Sequence, residues 1–374
     1  MGNMFEDHFG AIPDPRVERT KKHKLLDIIA IAICGVISGA DNWVEIEAFG
    51  QIREAWLREF LELPNGIPSH DTFGRVFARL DTDAFRRSFI DWVRAVHTLT
   101  AGQVVAIDGK TMRGSVDKTN GKAALHVVSA WASQNALVLG QLAVEDKSNE
   151  ITAIPQLLDM LVLQGCIVTV DALGCQKKIA QAIREAKADY LLRVKANQGQ
   201  LYEDLQDWFA HAEQTRFANM TSSHDRVVNK DHGRLEVREC WVVSDPVAFE
   251  YIRHYDGWAD LNSIAKVVRQ RRSGETLTTE TAYYISSLQN DAQLLLSCAR
   301  SHWTVENSLH WVLDVAFQED HARYRQNDGA ENFALLRKLA INLLRQDKSV
   351  KIGAKGKRLR AALDPNYLLQ LLNQ

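Results

Sequence analysis

Two short runs rich in Val and Ile, Val104 to Asp108 and Cys166 to Asp171, each close on an aspartate. A glycine-containing turn follows each: Gly109-Lys110-Thr111 after the first, Ala172-Leu173-Gly174 after the second. Apolar runs of this length, bounded by turn residues, read as buried strands, and a carboxylate at a strand's carboxyl end points into the crevice where open α/β sheets bind ligands. A third acid, Glu306, lies in Arg300 to Asp314, a stretch with helical periodicity. Two strand-end aspartates and one helical glutamate could hold two Mg2+ ions about 4 Å apart, which would stabilise both the attacking and the leaving oxygen of a phosphodiester.

Composition sets bounds but does not name a partner. The chain has 374 residues, 46% apolar and 25% charged, enough for two or three ordinary globular domains. Its net charge is −2, so a nucleic-acid partner would have to be met by local patches. The five cysteines form no Cys-x-x-Cys pair, which argues against a disulfide framework or structural zinc and suggests a reducing cytoplasm. Leu25 to Ala40 is too short for a membrane span and carries Asp27, so it reads as a buried helix; no signal sequence and no membrane association are expected.

Residues 1–98 read as all helical: Leu25 to Ala40, Trp43 to Leu61, a short helix from Ser69 or Asp71 to Leu80, and another capped by Asp81 or Thr82. The two short helices could form a helix-turn-helix with Arg75 and Arg79 near a DNA groove, or a plain bundle. From Gln103 the period becomes that of strands, a meander of Val104 to Asp108, Ala124 to Ser133 and Leu137 to Val144. Helix Ile151 to Leu163 with Asn149 as N-cap, strand Cys166 to Asp171, helix Gln176 to Lys187 and strand Tyr190 to Lys195 then alternate, implying parallel pairing. The expected fold is α/β, a ribonuclease-H-like mixed-sheet core at 99–347 with a β-rich insertion at about 199–289, preceded by the helical segment. Helices Ala292 to Phe317 and Ala330 to Arg345 close it, and 348–374 forms a basic tail.

Each candidate has a plain alternative. Asp-Gly is a common turn pair, yet Lys110, Thr111, Arg113 and Ser115 beyond Asp108 supply donors suited to phosphate oxygens. Steps of four place His302, Glu306, His310 and Asp314 on one helical stripe, which faces either solvent or a cleft. Lys195 and Gln198 follow a buried strand and could contact a DNA backbone. The basic runs Arg16 to Lys24 and Lys348 to Arg360 suit either solvated segments or phosphate contact.

With these residues in hand, the chain resembles bacterial insertion-sequence transposases of the DDE class, close to the H-repeat-associated proteins. The likeness is carried by Asp14-Pro-Arg16, Cys34 to Gly39, Leu63 to Arg79, Ile107 to Ser115, Lys147 to Ile151, Asp171 to Gln176 and Trp303 to Asp314. It implies a catalytic triad and metal site of Asp108, Asp171 and Glu306, with Mg2+ as cofactor and Mn2+ able to substitute. It also implies a double-stranded DNA partner, both terminal inverted repeats and target, a homodimer on DNA, and a cytoplasmic, nucleoid-associated protein. Related transposases carry Tyr, Arg and Lys seven before, four before and seven after the glutamate. Here those places hold Ala299, His302 and Leu313, so Arg300, His302, Asn307 and His310 are the expected phosphate contacts. The rival readings are a catalytically decayed DNA-binding remnant and a nuclease that hydrolyses without joining.

Overall fold

The computed structural model describes residues 2–116, 121, 123–144, 150–231 and 234–373. Five helices come first: α1 (Gly2–Phe9), α2 (Leu25–Ile37), α3 (Trp43–Leu57), α4 (His70–Phe77) and α5 (Thr82–Val96). Then come β1 (Val104–Met112), β2 (Leu125–Ala132), β3 (Leu137–Val144), α6 (Glu150–Asp159), β4 (Ile167–Val170), α7 (Lys177–Glu185) and β5 (Asp189–Val194). The strands lie in the order β3-β2-β1-β4-β5, with β1–β2–β3 an antiparallel meander and β4 and β5 parallel to β1, which is the ribonuclease-H-like core.

The insertion does not form a separate body. After α8 (Gly199–Gln214) come β6 (Ser222–Asp231), β7 (Arg234–Val243), α9 (Pro246–Tyr251), β8 (Ser263–Ser273) and β9 (Thr276–Ser286). β9 pairs antiparallel with β5, and β8, β7 and β6 follow outward, so one sheet runs through nine strands. β6 lies in a segment whose polarity reads as loop; as the edge strand of an antiparallel ribbon it does not need an apolar face.

Side-chain alternation divides the sheet's two faces. Val104, Ile167, Leu191, Val242, Val267 and Tyr284 lie under α10 (Ala292–His302), while their neighbours Val105, Val168 and Leu192 belong to the main core with α6 and α7. That core continues into the helical segment through α12 (Gly329–Gln346), which packs against α2, α4, α5 and β3. Asn342 clamps β3 by donating to the Val138 carbonyl and accepting from its amide, both at 2.8 Å. Asn332 donates to the carbonyls of Phe77 and Leu80, holding the end of α4.

Three expectations are corrected. Asp108 does not end its strand: only the parallel ladder with β4 stops at Ile107, and β1 continues against β2 as far as Met112. The helix expected from Ala292 to Phe317 breaks at Trp303 and passes through a π turn, Glu306–His310, into α11 (Trp311–Phe317). The segment read as a basic tail folds, over the described residues 348–373, into α13 (Ala354–Leu363) and α14 (Pro365–Leu372), with Lys357 and Arg358 buried. Asn149, expected as an N-cap, lies outside the described residues.

Arg358 donates to the carbonyls of Val36, Ala40 and Ala316 and to the Asp41 carboxylate, joining α13 to α2 and α11. Its loss would strand buried acceptors and a carboxylate. Arg358→Ala is therefore expected to lower the free energy of unfolding in urea by about 3 kcal/mol or more. Exposed Lys355→Ala on the same helix should stay within about 0.5 kcal/mol. Equal, small effects would show that α13 is not part of the cooperative core.

Candidate active site

Strand parity brings the acids together. Asp108 shares its parity with Val104, Asp171 with Ile167 and Arg193 with Leu191, so all three lie on the α10 face, at the end of the sheet where α10 gives way to the π turn. Asp108, Asp171 and Glu306 line one cavity of about 350 Å³ with Thr169, Arg193, Lys195, Tyr284, His302 and Trp303. Asp171 caps the short turn Ala172–Gly174 by accepting from the Leu173 amide at 2.8 Å, which fixes its carboxylate at the strand's end. Glu306 is largely exposed on the first residue of the π turn. π turns replace the ordinary helical ladder locally and recur at functional sites.

His310, at the other end of that turn, is buried and points Nδ1 at both acids, 3.2 Å from Glu306 Oε2 and 3.6 Å from Asp108 Oδ2. Burial holds its pKa below the usual value, against the pull of Glu306. Ligand atoms of Asp108, Glu306 and His310 lie within 4.8 Å of one another, close enough to share one metal ion. Carboxylate oxygens suit Mg2+ or Mn2+, and an added imidazole leans toward the transition metals. Burial, with the negative charges of Asp171, Glu150 and Glu306, pushes the Asp108 carboxyl up to about 7, as expected of acids gathered without a counter-cation.

A buried support lies behind Asp108. His126 Nε2 meets Glu150 at 2.5 Å, and its Nδ1 meets the Thr111 hydroxyl at 2.8 Å. A Cβ on Gly109 would come within 2.4 Å of both His126 and Glu150, so only glycine lets β1 pass beside this pair. Lys110, on the α10 face, reaches Asp314 (2.7 Å), Glu319 (3.1 Å) and Asp320 (3.2 Å), tying β1 to α11 and the segment after it.

Two family models match this chain: one described as "Transposase DDE domain" over residues 100–343 and one described as "DDE_Tnp_1-associated" over residues 6–93. The chain belongs to the DDE transposase family. It is 43% identical over 369 residues to "Putative transposase YncI" of Escherichia coli O157:H7, covering 98% of this chain and 93% of that one. It is 40% identical over 372 residues to "H repeat-associated putative transposase YhhI" of Escherichia coli K12, covering 98% and 97%. A solved piggyBac transposase synaptic complex with hairpin DNA aligns at TM-score 0.45 and 11% identity, over 96% of this chain and 75% of that one.

The residues of this transposase expected to meet DNA fall into separate places. Lys195 and His302 line the acid cavity, while Arg300 and Asn307 line a groove beside it. His302 Nδ1 meets the Thr169 hydroxyl at 3.0 Å and burial pushes its pKa to about 4, so the ring is neutral near pH 7. Lys110 is held by its three acids, and Ser115 bonds within its own loop, accepting from the Leu125 amide. Gln198 donates to the Cys175 carbonyl, and Arg113 stays largely exposed. Arg75 and Arg79 are exposed on and just after α4, outside the cavity.

Sequence reading missed the groove. It holds about 560 Å³ and is lined by Arg193, Arg234, Arg238, Arg269, Arg271 and Arg300, with Glu236, Glu280 and Glu306 the acids among them. It opens into the acid cavity through Arg193, Tyr284, Ala299, Trp303 and Glu306, which line both. The available signal was the period-2 spacing Arg234-x-Glu236-x-Arg238 and Arg269-x-Arg271, which puts each set on one strand face.

The raised pKa of Asp108 sets a sign for stability. Its carboxyl stays protonated up to about pH 7 in the folded, metal-free protein but ionises near pH 4 when unfolded. The folded state thus holds the proton more tightly, and stability falls as pH rises from about 4 to 7. Metal-free Asp108→Asn is expected to melt a few degrees above wild type at pH 8 and to match it near pH 4. An equal difference at both pH values would refute the ionisation penalty.

Proposed function

We propose that this transposase cuts DNA at the ends of its insertion sequence and joins the freed 3′-hydroxyl to target DNA. The observation that carries this is the convergence of Asp108, Asp171 and Glu306, from three distant segments, on one cavity that opens into a groove with six arginines. The acids suit divalent-cation binding, and Mg2+ is the cofactor proposed, with Mn2+ able to replace it. A bound cation would neutralise charge on the attacking and leaving oxygens.

The chain's own residues do the rest. The arginines of the groove lead a phosphate backbone toward the acids, and Lys195, just past β5, lines the cavity beside Arg193. His310, neutral and hydrogen-bonded to Glu306, keeps that carboxylate turned toward Asp108. His302, also neutral, offers a hydrogen bond rather than a charge. Transfer needs no protein nucleophile: in-line attack on phosphorus by water, then by the 3′-hydroxyl, depends on orientation and charge. The helical segment 1–98, through Arg75 and Arg79, is proposed to read the terminal repeat, with two copies of the chain holding two ends.

The test is single-turnover nicking of a duplex bearing the gene's flanking inverted repeat, beside a gel-shift titration. Asp108→Asn, Asp171→Asn and Glu306→Gln are each expected to slow nicking by more than about a hundredfold, with binding within about threefold, because the carboxylates do not read bases. His310→Ala should slow nicking at unchanged binding. Nicking within tenfold of wild type in any of the three acid mutants, or full activity in excess chelator, would refute the assignment.

A further inference from the structure

We propose that Arg323 and Arg325, with Arg113, form a second phosphate-binding surface, and that its ligand is the backbone of the duplex that receives the transferred end. This rests on the joining reaction proposed above.

The surface is built by alternation in an extended segment. Tyr324 turns inward, donating to the Asp41 carbonyl at 2.5 Å and stacking on Phe333 at 4.2 Å, with the buried Arg337 guanidinium 5.8 Å from its ring. Its neighbours Arg323 and Arg325 must therefore point outward, on one side, about 6.6 Å apart along the chain. Both are exposed and make no ion pair with any described residue. With Arg113, His321 and Asp320 they line a cavity of about 350 Å³. Among the described lining residues the one carboxylate, Asp320, is already engaged by Lys110 at 3.2 Å and by Arg113.

The platform is fixed before any ligand arrives. A Cβ on Gly114 would come within 2.3 Å of the Ala322 carbonyl oxygen, so the loop after β1 and the segment carrying the arginines are in direct backbone contact. Lys110 binds them to α11 from below. Guanidiniums that make no ion pair among the described residues, set on this braced backbone, offer their charge to successive phosphates.

Position separates this surface from the groove. It shares no lining residue with the acid cavity, whereas the groove shares five. Arg113 lies five residues beyond Asp108, just past the end of β1 and about 17 Å away at strand rise, while the groove is displaced sideways across the sheet, over β5, β9, β8 and β7. Strand transfer brings two duplexes to one centre. The groove that opens into the acids takes the end being cut, and the separate platform past the end of β1 takes the other.

The experiment uses the full chain. Arg323→Ala/Arg325→Ala is expected to leave nicking of the end duplex within about twofold of wild type and to lower joining to a plasmid at least about tenfold at physiological salt. Arg323→Lys/Arg325→Lys should restore joining to within about threefold, since the contact is with charge. Unchanged joining in the alanine variant, or nicking and joining falling by the same factor, would overturn the proposal. A second reading needs no catalysis: protein saturated with end duplex should retain a random-sequence duplex on a filter, and the alanine variant should not. If wild type fails to nick, the catalytic reading falls, and this capture still decides whether the surface exists.

Discussion

The partial cover that α10 gives to one face of the sheet governs everything described above. Under the helix the strands present Val104, Ile167, Leu191, Val242 and Val267; two or four residues along from these the same face presents Asp108, Asp171, Arg193, Arg238 and Arg269. On β8 the change falls between Val267 and Arg269, on β7 between Cys240 and Arg238, and on β9 between Ala282 and Glu280. Because side chains alternate with a period of two, the residues left uncovered are forced onto the same face as the apolar ones. The acids and the arginine groove are therefore one uncovered region, and its boundary is the end of a helix.

That arrangement needs the helical chain to leave the sheet at a defined point. Trp303 ends α10 and the π turn follows, so Glu306 and His310 overhang Asp108. Lys110 draws α11 back onto β1 through Asp314, with Glu319 buried beside it. A buried lysine satisfied by three acids does little for net stability, since desolvation offsets most of the attraction. Its consequence is register: losing it would strip the buried Glu319 of an ion-pair partner and release Asp314, so α11 is held to one position.

Much of this was legible in the residues. The switch from helical to strand periodicity at Gln103, the strand–helix alternation after Glu150 and the acids closing two Val- and Ile-rich runs gave the core, because each is a local pattern. What stayed hidden depends on tertiary placement. Lys110 has the composition of a phosphate donor, but Asp314, Glu319 and Asp320 reach it from two hundred residues away. Arg358 sits in a run that looks solvated, yet backbone carbonyls of α2 and α11 surround it. The π turn leaves no periodic trace in a five-residue span, so an unbroken helix was the simpler reading.

The charge of the chain takes on a different sense in this light. A net charge of −2 gives no general attraction to a polyanion, and the acid cavity itself repels one. Attraction must come from local excess: six arginines against Glu236, Glu280 and Glu306 in the groove, and three arginines against Asp320 at the platform. Screening at physiological salt confines each patch to about 8 Å, so the two surfaces act separately, and what each offers a phosphate is the excess of arginine over the acids it contains. Repulsion among the central carboxylates belongs to the cation-free state: burial, Asp171, Glu150 and Glu306 raise the Asp108 pKa, and Glu306, with His310, also stands close enough to Asp108 to share a cation. Folding tolerates it because the main core, from α2 through α12, is built on the far face of the sheet and does not depend on the acids.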